Sequence, residues 1–403
     1  MLRLVLVIAG ALSLTPGNAQ AQETRAELLA EMREQKARSL EPYKPKGAEK
    51  ALLYVEQKRI IERLTVADGF YPRTGGLPSG SGFAMGVGYR KHLLNEGLFA
   101  NVSGVLSMKT YKAFDAQLRL PLLWRDRIEL WTNFRYHDFP EEDFFGLGNG
   151  SSVSNRTSYK IRSTDSSARA VVNVLRWLRF GADLGRYKPE IGHGTDPRFP
   201  SAEEIFTDVE VPGLAAQPTF VHYTPFVEVD YRDYPGNARS GGLWRASFGT
   251  WKDRTLGQFD FHRFDAQAAH YFPIFDKKRV FAVRASVSYV NNEKGDRVPF
   301  YVMPYIGGSD SLRGFREFRF RDENALFMNA EYRWEAFAGL DMALFFDAGE
   351  VRRDWEDIGF GNLKTSYGVG FRFNTYKNVF LRFDVAMGGH EGVRKFTKFS
   401  SAF

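Results

Sequence analysis

The sequence predicts an all-β chain: a 16-stranded antiparallel transmembrane β-barrel with a short N-terminal helical segment. Three observations carry this. Apolar and polar residues alternate with period two through most of the chain after about residue 66. The polar face carries full charges of both signs in segment after segment, which suits a wet interior. The other face is bulky and aromatic, with aromatics at 15% of the chain and no apolar helices to cover it. In water such a belt would be an aggregating patch.

The chain opens MLRLVLVIAGALSLTPGNAQA: an early Arg3, an apolar run from Leu4 to Leu14, the breaker Pro16-Gly17 and the triplet Ala19-Gln20-Ala21. This predicts a secretory signal peptide over 1–21. Its apolar run is shorter than the roughly 20 residues a membrane helix needs. The chain has no cysteine, so a disulfide framework and a thiolate metal site are both excluded. The formal net charge of +7 is a modest excess over a large charged population. It suits an anionic lipid surface or a charged aqueous lumen, and nucleic acid is not expected as a partner after export.

Residues 22–65 read as helix. TRAELLAEMREQKARS mixes charges at three- and four-residue spacing. EPYKPKG interrupts it, and GAEKALLYVEQKRIIERL resumes with Leu53, Ile60 and Leu64 on one side. Two placements are open for this segment: a solvated periplasmic arm, or a helix that leans on the lumen.

The barrel is expected over 66–403. Sixteen segments alternate, at about 66–75, 81–92, 98–110, 113–122, 126–137, 159–175, 178–188, 218–230, 242–251, 261–272, 278–290, 322–335, 339–350, 363–375, 377–388 and 394–403. In VFLRFDVAM, for instance, Val379, Leu381, Phe383, Val385 and Met387 share one face, while Arg382 and Asp384 lie on the other. Alternate connections are very short (LLNEG, WRD, RWL, PIFDK, EAFAG, TYK), with DYRDYPGNARSG the exception. The other series includes the long ones, 138–158, 189–217, 291–321 and 351–362. Short turns on one side and long loops on the other are what an outer-membrane barrel shows. An even count puts both chain ends on the periplasmic side.

Catalytic, metal-binding and cofactor chemistry is not expected. G-x-S-x-G, HExxH and a phosphate loop are all missing from the sequence. His92, His137, His193, His222, His262, His270 and His390 are scattered along it.

The stretch YIGGSDSLRGF, residues 305–315, belongs to the outward loop between the eleventh and twelfth strands. Its glycines alone mean only turns. FFDAG at 345–349 adds a second clue, because the alternation turns Phe345, Asp347 and Gly349 inward. An inward carboxylate beside a glycine that leaves open space calls for a cation. Arg313 is suited to it through bidentate hydrogen bonds.

LRGF at 312–315, F-x-D-x-G at 345–349 and the terminal Phe403 resemble the bacterial surface-antigen barrel superfamily. That superfamily includes the outer-membrane barrel-assembly insertases and the two-partner-secretion translocators. DYRDYPGNARSGG at 230–242 is similar to the family's D-x-R-D…G segment. The resemblance implies a loop-to-barrel lock made by Arg313, Gly314, Phe315, Phe345, Asp347 and Gly349. It makes Phe403 a C-terminal assembly signal, and the alternation places Phe403 on the lipid face with Phe399. It also implies protein insertion into, or translocation across, the outer membrane of a Gram-negative bacterium, with the lumen occluded by the loop 291–321. The alternative is a passive or gated pore, or a structural barrel. Outer-membrane lipid and lipopolysaccharide are the expected surroundings, with an unfolded protein client and a separate periplasmic accessory protein as further partners. Insertases and translocators carry periplasmic POTRA domains of mixed α/β structure. The helical 22–65 fits none, so the chain resembles the variant group without them. The first and last strands, holding Gly69 and Pro72 on one side and Thr397 and Ser401 on the other, read as a weak seam.

Overall fold

A computed structural model of the protein describes residues 30–38, 45–58, 67–95, 97–292, 295–389, 391–399 and 403. The expected signal peptide lies outside the described residues. Two units are distinguished, residues 1–50 and 51–403. In the first, residues 30–38 are helical and exposed, with Arg38 paired to Glu34 one turn back at 2.7 Å. A second helix spans Gly47–Gln57. Among the described residues no helix is long and apolar enough to cross a membrane.

The larger unit is a sixteen-stranded antiparallel barrel whose strands follow one another in chain order. They are β1 Gly69–Arg73, β2 Ala84–Leu93, β3 Leu98–Ser107, β4 Lys112–Leu122, β5 Ile128–Phe144, β6 Thr157–Leu175, β7 Leu178–His193 and β8 Phe220–Asp230. The second half comprises β9 Gly241–Asp253, β10 Phe261–Ile274, β11 Arg279–Asn292, β12 Asn324–Phe337, β13 Leu340–Arg352, β14 Lys364–Asn374, β15 Val379–Gly388 and β16 Val393–Lys398. A separate two-residue ladder, Tyr305–Ile306 with Phe320–Arg321, lies inside the loop between β11 and β12.

Period two is visible in the burial. Along β13, Leu344 and Phe346 are exposed outward while Phe345 and Asp347 are buried. Phe70, Met85, Phe134, Leu184, Tyr223 and Tyr367 likewise stand exposed on the wall, as a lipid-facing surface requires. β5, β6 and β7 run to 17, 19 and 16 residues, beyond the roughly 9–11 that cross a bilayer. They therefore continue past the membrane and take up part of the expected loops 138–158 and 189–217. Phe144 and Tyr159 at their outward ends join Phe220, Phe259, Val298 and Phe300 in a buried core under the outward loops.

The edge strands are short. β1 has five residues and β16 six, and among the described residues no ladder joins them. β16 stops at Lys398, where period two ends. Placing Phe403 on the lipid face therefore fails. Its ring centroid lies 6.1 Å from that of Tyr271, with the Arg284 and Arg333 guanidinium carbons 4.9 and 5.2 Å from the ring centre.

The one long connection of the short-turn series, 231–240, folds over the ends of neighbouring strands. Arg239 Nη2 donates to both carboxylate oxygens of Asp341, at 2.9 and 2.7 Å. Asn237 donates to the Thr375 carbonyl at 3.0 Å, and the Val379 N–H to that of Gly236 at 2.9 Å. The turn thus reaches from β8 and β9 to the β14–β15 connection. Leu52 of the second helix lies against Gly339, where a Cβ would come within 2.9 Å, and Glu56 accepts from the Tyr376 N–H at 3.2 Å.

Asp233 organises that turn. Burial raises its pKa, but the Arg239 N–H, the Lys277 ammonium and the Ser240 and Tyr234 N–H groups outweigh burial and hold it at about 2. A depressed carboxylate stabilises the fold above its unfolded pKa, and the contribution disappears as pH falls through the folded value. Asp233→Asn is therefore expected to lower the melting temperature at pH 7, with the gap to wild type closing between pH 4 and 2. A gap independent of pH would contradict this account.

Candidate functional site

Cross-strand register builds the site. Asn329 on β12, Asp347 on β13, Ser366 on β14 and Gly388 on β15 lie side by side on one inward row. Glu331, Phe345, Gly368 and Ala386 form the next. Acceptors, a ring and glycines therefore face the lumen as one patch.

The loop tip sits on this patch. Arg313 donates to Asp347 from Nε at 3.0 Å and from Nη2 at 2.6 Å, and its backbone N–H adds a third bond at 3.0 Å. Nη1 pairs with Glu331. The guanidinium carbon stands 3.6 Å from the centre of the Phe345 ring. Asn329 holds Asp347 Oδ1 at 2.7 Å, and Ser366 holds Oδ2 at 3.0 Å. Arg313 is 2% exposed and Asp347 and Glu331 are fully buried, so this is no surface ion pair of roughly 1 kcal/mol. Breaking a buried pair leaves an uncompensated charge and costs about 3–5 kcal/mol.

Glycines permit the approach. A Cβ on Gly314 would lie 2.4 Å from the Gly388 backbone nitrogen, so the two backbones touch. A Cβ on Gly388 would fall 2.7 Å from the Phe315 ring, and one on Gly368 would fall 2.6 Å from that of Phe345. Gly307 and Gly308 take φ of 121° and 84°, which reverses the chain at the base of the tip. Gly349 acts differently from its expected role: it opens no space at the lumen, because a Cβ there would meet the Leu326 carbonyl and Phe327 at 2.7 Å.

Four arginines on the wall extend the grip. Arg284 of β11 donates to the Asp310 carbonyl at 2.5 Å and to Asn329 Oδ1 at 2.7 Å. Arg382 of β15 donates to the Ser309 carbonyl at 2.9 Å. Arg372 of β14 bridges Glu331 at 2.9 Å and Asp384 at 2.5 Å, while Arg333 holds the other Glu331 oxygen at 2.6 Å. On the outward side Arg319 pairs with Glu391 and donates to the Ser151 carbonyl at 2.8 Å. The loop is thus tied to β11, β12, β13 and β15, while Arg372 and Ser366 of β14 brace the carboxylates that hold it. Of the residues singled out in sequence, Arg313, Gly314, Phe315, Phe345 and Asp347 come together here. Gly349 lies one register step beyond, and Phe403 packs among Tyr271, Arg284 and Arg333. Glu331, Asn329, Ser366, Arg372 and Arg382 are additional members. Their signal was inward parity on strands β12, β14 and β15.

Residues 225–399 match the Omp85 superfamily domain. The matched segment runs from β8 to β16. Arg239, Arg313, Glu331, Asp347 and Arg372 all fall within the matched residues, so the tip and its receiving wall lie in the segment that matches this domain. Among solved structures the chain is similar to BamA from Haemophilus ducreyi lacking POTRA domains 1–3, at 15% identity and a TM-score of 0.60, over 83% of this chain and 70% of that one. It is also similar to CdiB from Escherichia coli, at 13% identity and a TM-score of 0.52, over 82% of this chain and 61% of that one. At such identities the likeness is one of fold. Among curated proteins no match is found.

Proposed function

We propose that this barrel is an Omp85 protein of the outer membrane that inserts proteins into that membrane or translocates them across it, with the 291–321 loop closing the lumen at rest. The observation that carries the reading is the buried Arg313 fork on Asp347, with Glu331 behind it. A loop merely resting in a pore would not require a desolvated ion cluster and a glycine floor to receive it. The weak seam supports the same reading. Short edge strands β1 and β16, with no ladder between them among the described residues, would offer a client strand a place to add by backbone hydrogen bonding. An N-terminal signal peptide would deliver the chain, and a separate periplasmic protein would supply the capture of unfolded clients.

Depletion of the protein followed by a quantitative inventory of outer-membrane and secreted proteins tests this. Loss of one or more clients is the expected result. An unchanged inventory, together with altered small-solute uptake, would favour the pore reading instead.

A further inference from the structure

The outer wall of β5 to β7 carries charge above the apolar belt. Lys160 and Arg162 lie 3.4 and 3.8 Å from Asp138, and Arg162 and Lys188 lie 3.7 and 2.9 Å from Glu190. Two carboxylates are thus shared by three cations. Arg186 is exposed and, among the described residues, its side chain has neither a hydrogen bond nor an ion pair. Register places it beside Ser166 and Val221 on the outward half of the wall, one step above Ala168, Leu184 and Tyr223.

Arg186 also borders a concavity of about 770 Å³ in that wall. Leu118, Phe134 and Leu184 form its sides, and Ala116 and Ala168 leave the space open. An apolar groove open to the bilayer takes an acyl chain. An unneutralised guanidinium at its upper edge, backed by the shared cations, takes a phosphate. Near a membrane surface each such cation is worth several-fold in affinity for an anionic lipid.

We propose that this groove and its cationic rim bind a phosphorylated, multi-acylated glycolipid of the outer leaflet, with the phosphate on Arg186 and an acyl chain over Ala168. The proposal rests on the long loops facing outward, and it stands whether the barrel inserts, translocates or only conducts.

The test titrates the purified full-length protein in detergent with bis-phosphorylated lipid A, and folding of each variant is checked by heat-modifiable migration. Arg186→Glu is expected to weaken binding by about tenfold, and Ala168→Trp by several-fold. Arg254→Glu, an identical change of net charge on an exposed outward loop, should leave binding unchanged. Should Arg186→Glu fail to fold, Arg186→Gln replaces it, with a several-fold loss expected. Equal weakening by both reversals would overturn the proposal. So would full affinity for dephosphorylated lipid A, or equally tight binding of phosphatidylglycerol, which would make the wall a generic anionic surface.

Discussion

Replacing Arg313 by alanine is expected to leave a barrel that unfolds more readily and, where it folds, conducts more ions. The substitution strips Asp347 of its bidentate donor and Glu331 of one of three guanidinium partners. Both carboxylates are fully buried, so the loss is expected to reach about 3–5 kcal/mol. The tip would also loosen at its apolar contact with the wall, where Leu312, Phe315 and Phe320 share a buried cluster with Ala325 of β12 and Val351 of β13. Planar-bilayer conductance and the temperature of heat-modifiable migration read the two consequences separately. Arg313→Lys keeps the charge but not the fork and should fall between wild type and alanine. Identical conductance and migration for wild type and both variants would show that the loop is not held by this side chain.

The second large effect is expected at Glu331. Its carboxylate is the common counterion of Arg313, Arg333 and Arg372. Glu331→Gln removes the charge and turns an amide N–H₂ toward three guanidiniums that need acceptors. Three cations would then share a low-dielectric patch with Asp347, Asp384 and Asp341 as their remaining carboxylates. Breaking a buried charge cluster in this way costs about 3–5 kcal/mol. The variant should therefore melt well below wild type and release the loop. Glu331→Asp retains the charge at shorter reach and should recover part of the loss. A Glu331→Gln barrel as stable as wild type would mean that water, rather than this carboxylate, neutralises the arginines.

Much of the fold could be read from the sequence, because a barrel wall imposes one rule on every strand. Lipid on one side and water on the other force period two, and all sixteen segments carry it. Arg313 and Asp347 were readable together because parity turned Asp347 inward and a single loop offered the guanidinium. The rest of the site was not readable, for a geometric reason. Glu331, Asn329 and Ser366 become neighbours of Asp347 only through the register of β12, β13 and β14. Inward parity on its own does not say which charges share a row. Gly349 was misread because its close neighbour is Phe327 on the adjacent strand. Phe403 was misplaced because alternation holds only while the backbone stays extended, and β16 ends at Lys398.

A double-mutant cycle of Arg313→Ala and Asp347→Ala, followed through the unfolding free energy of the detergent-solubilised barrel, tests the central claim most directly. Groups in direct buried contact should give non-additive losses, with a coupling of about 1–3 kcal/mol. Strictly additive losses would contradict the account, because the loop tip would then be held by something other than the grip of that carboxylate on that guanidinium.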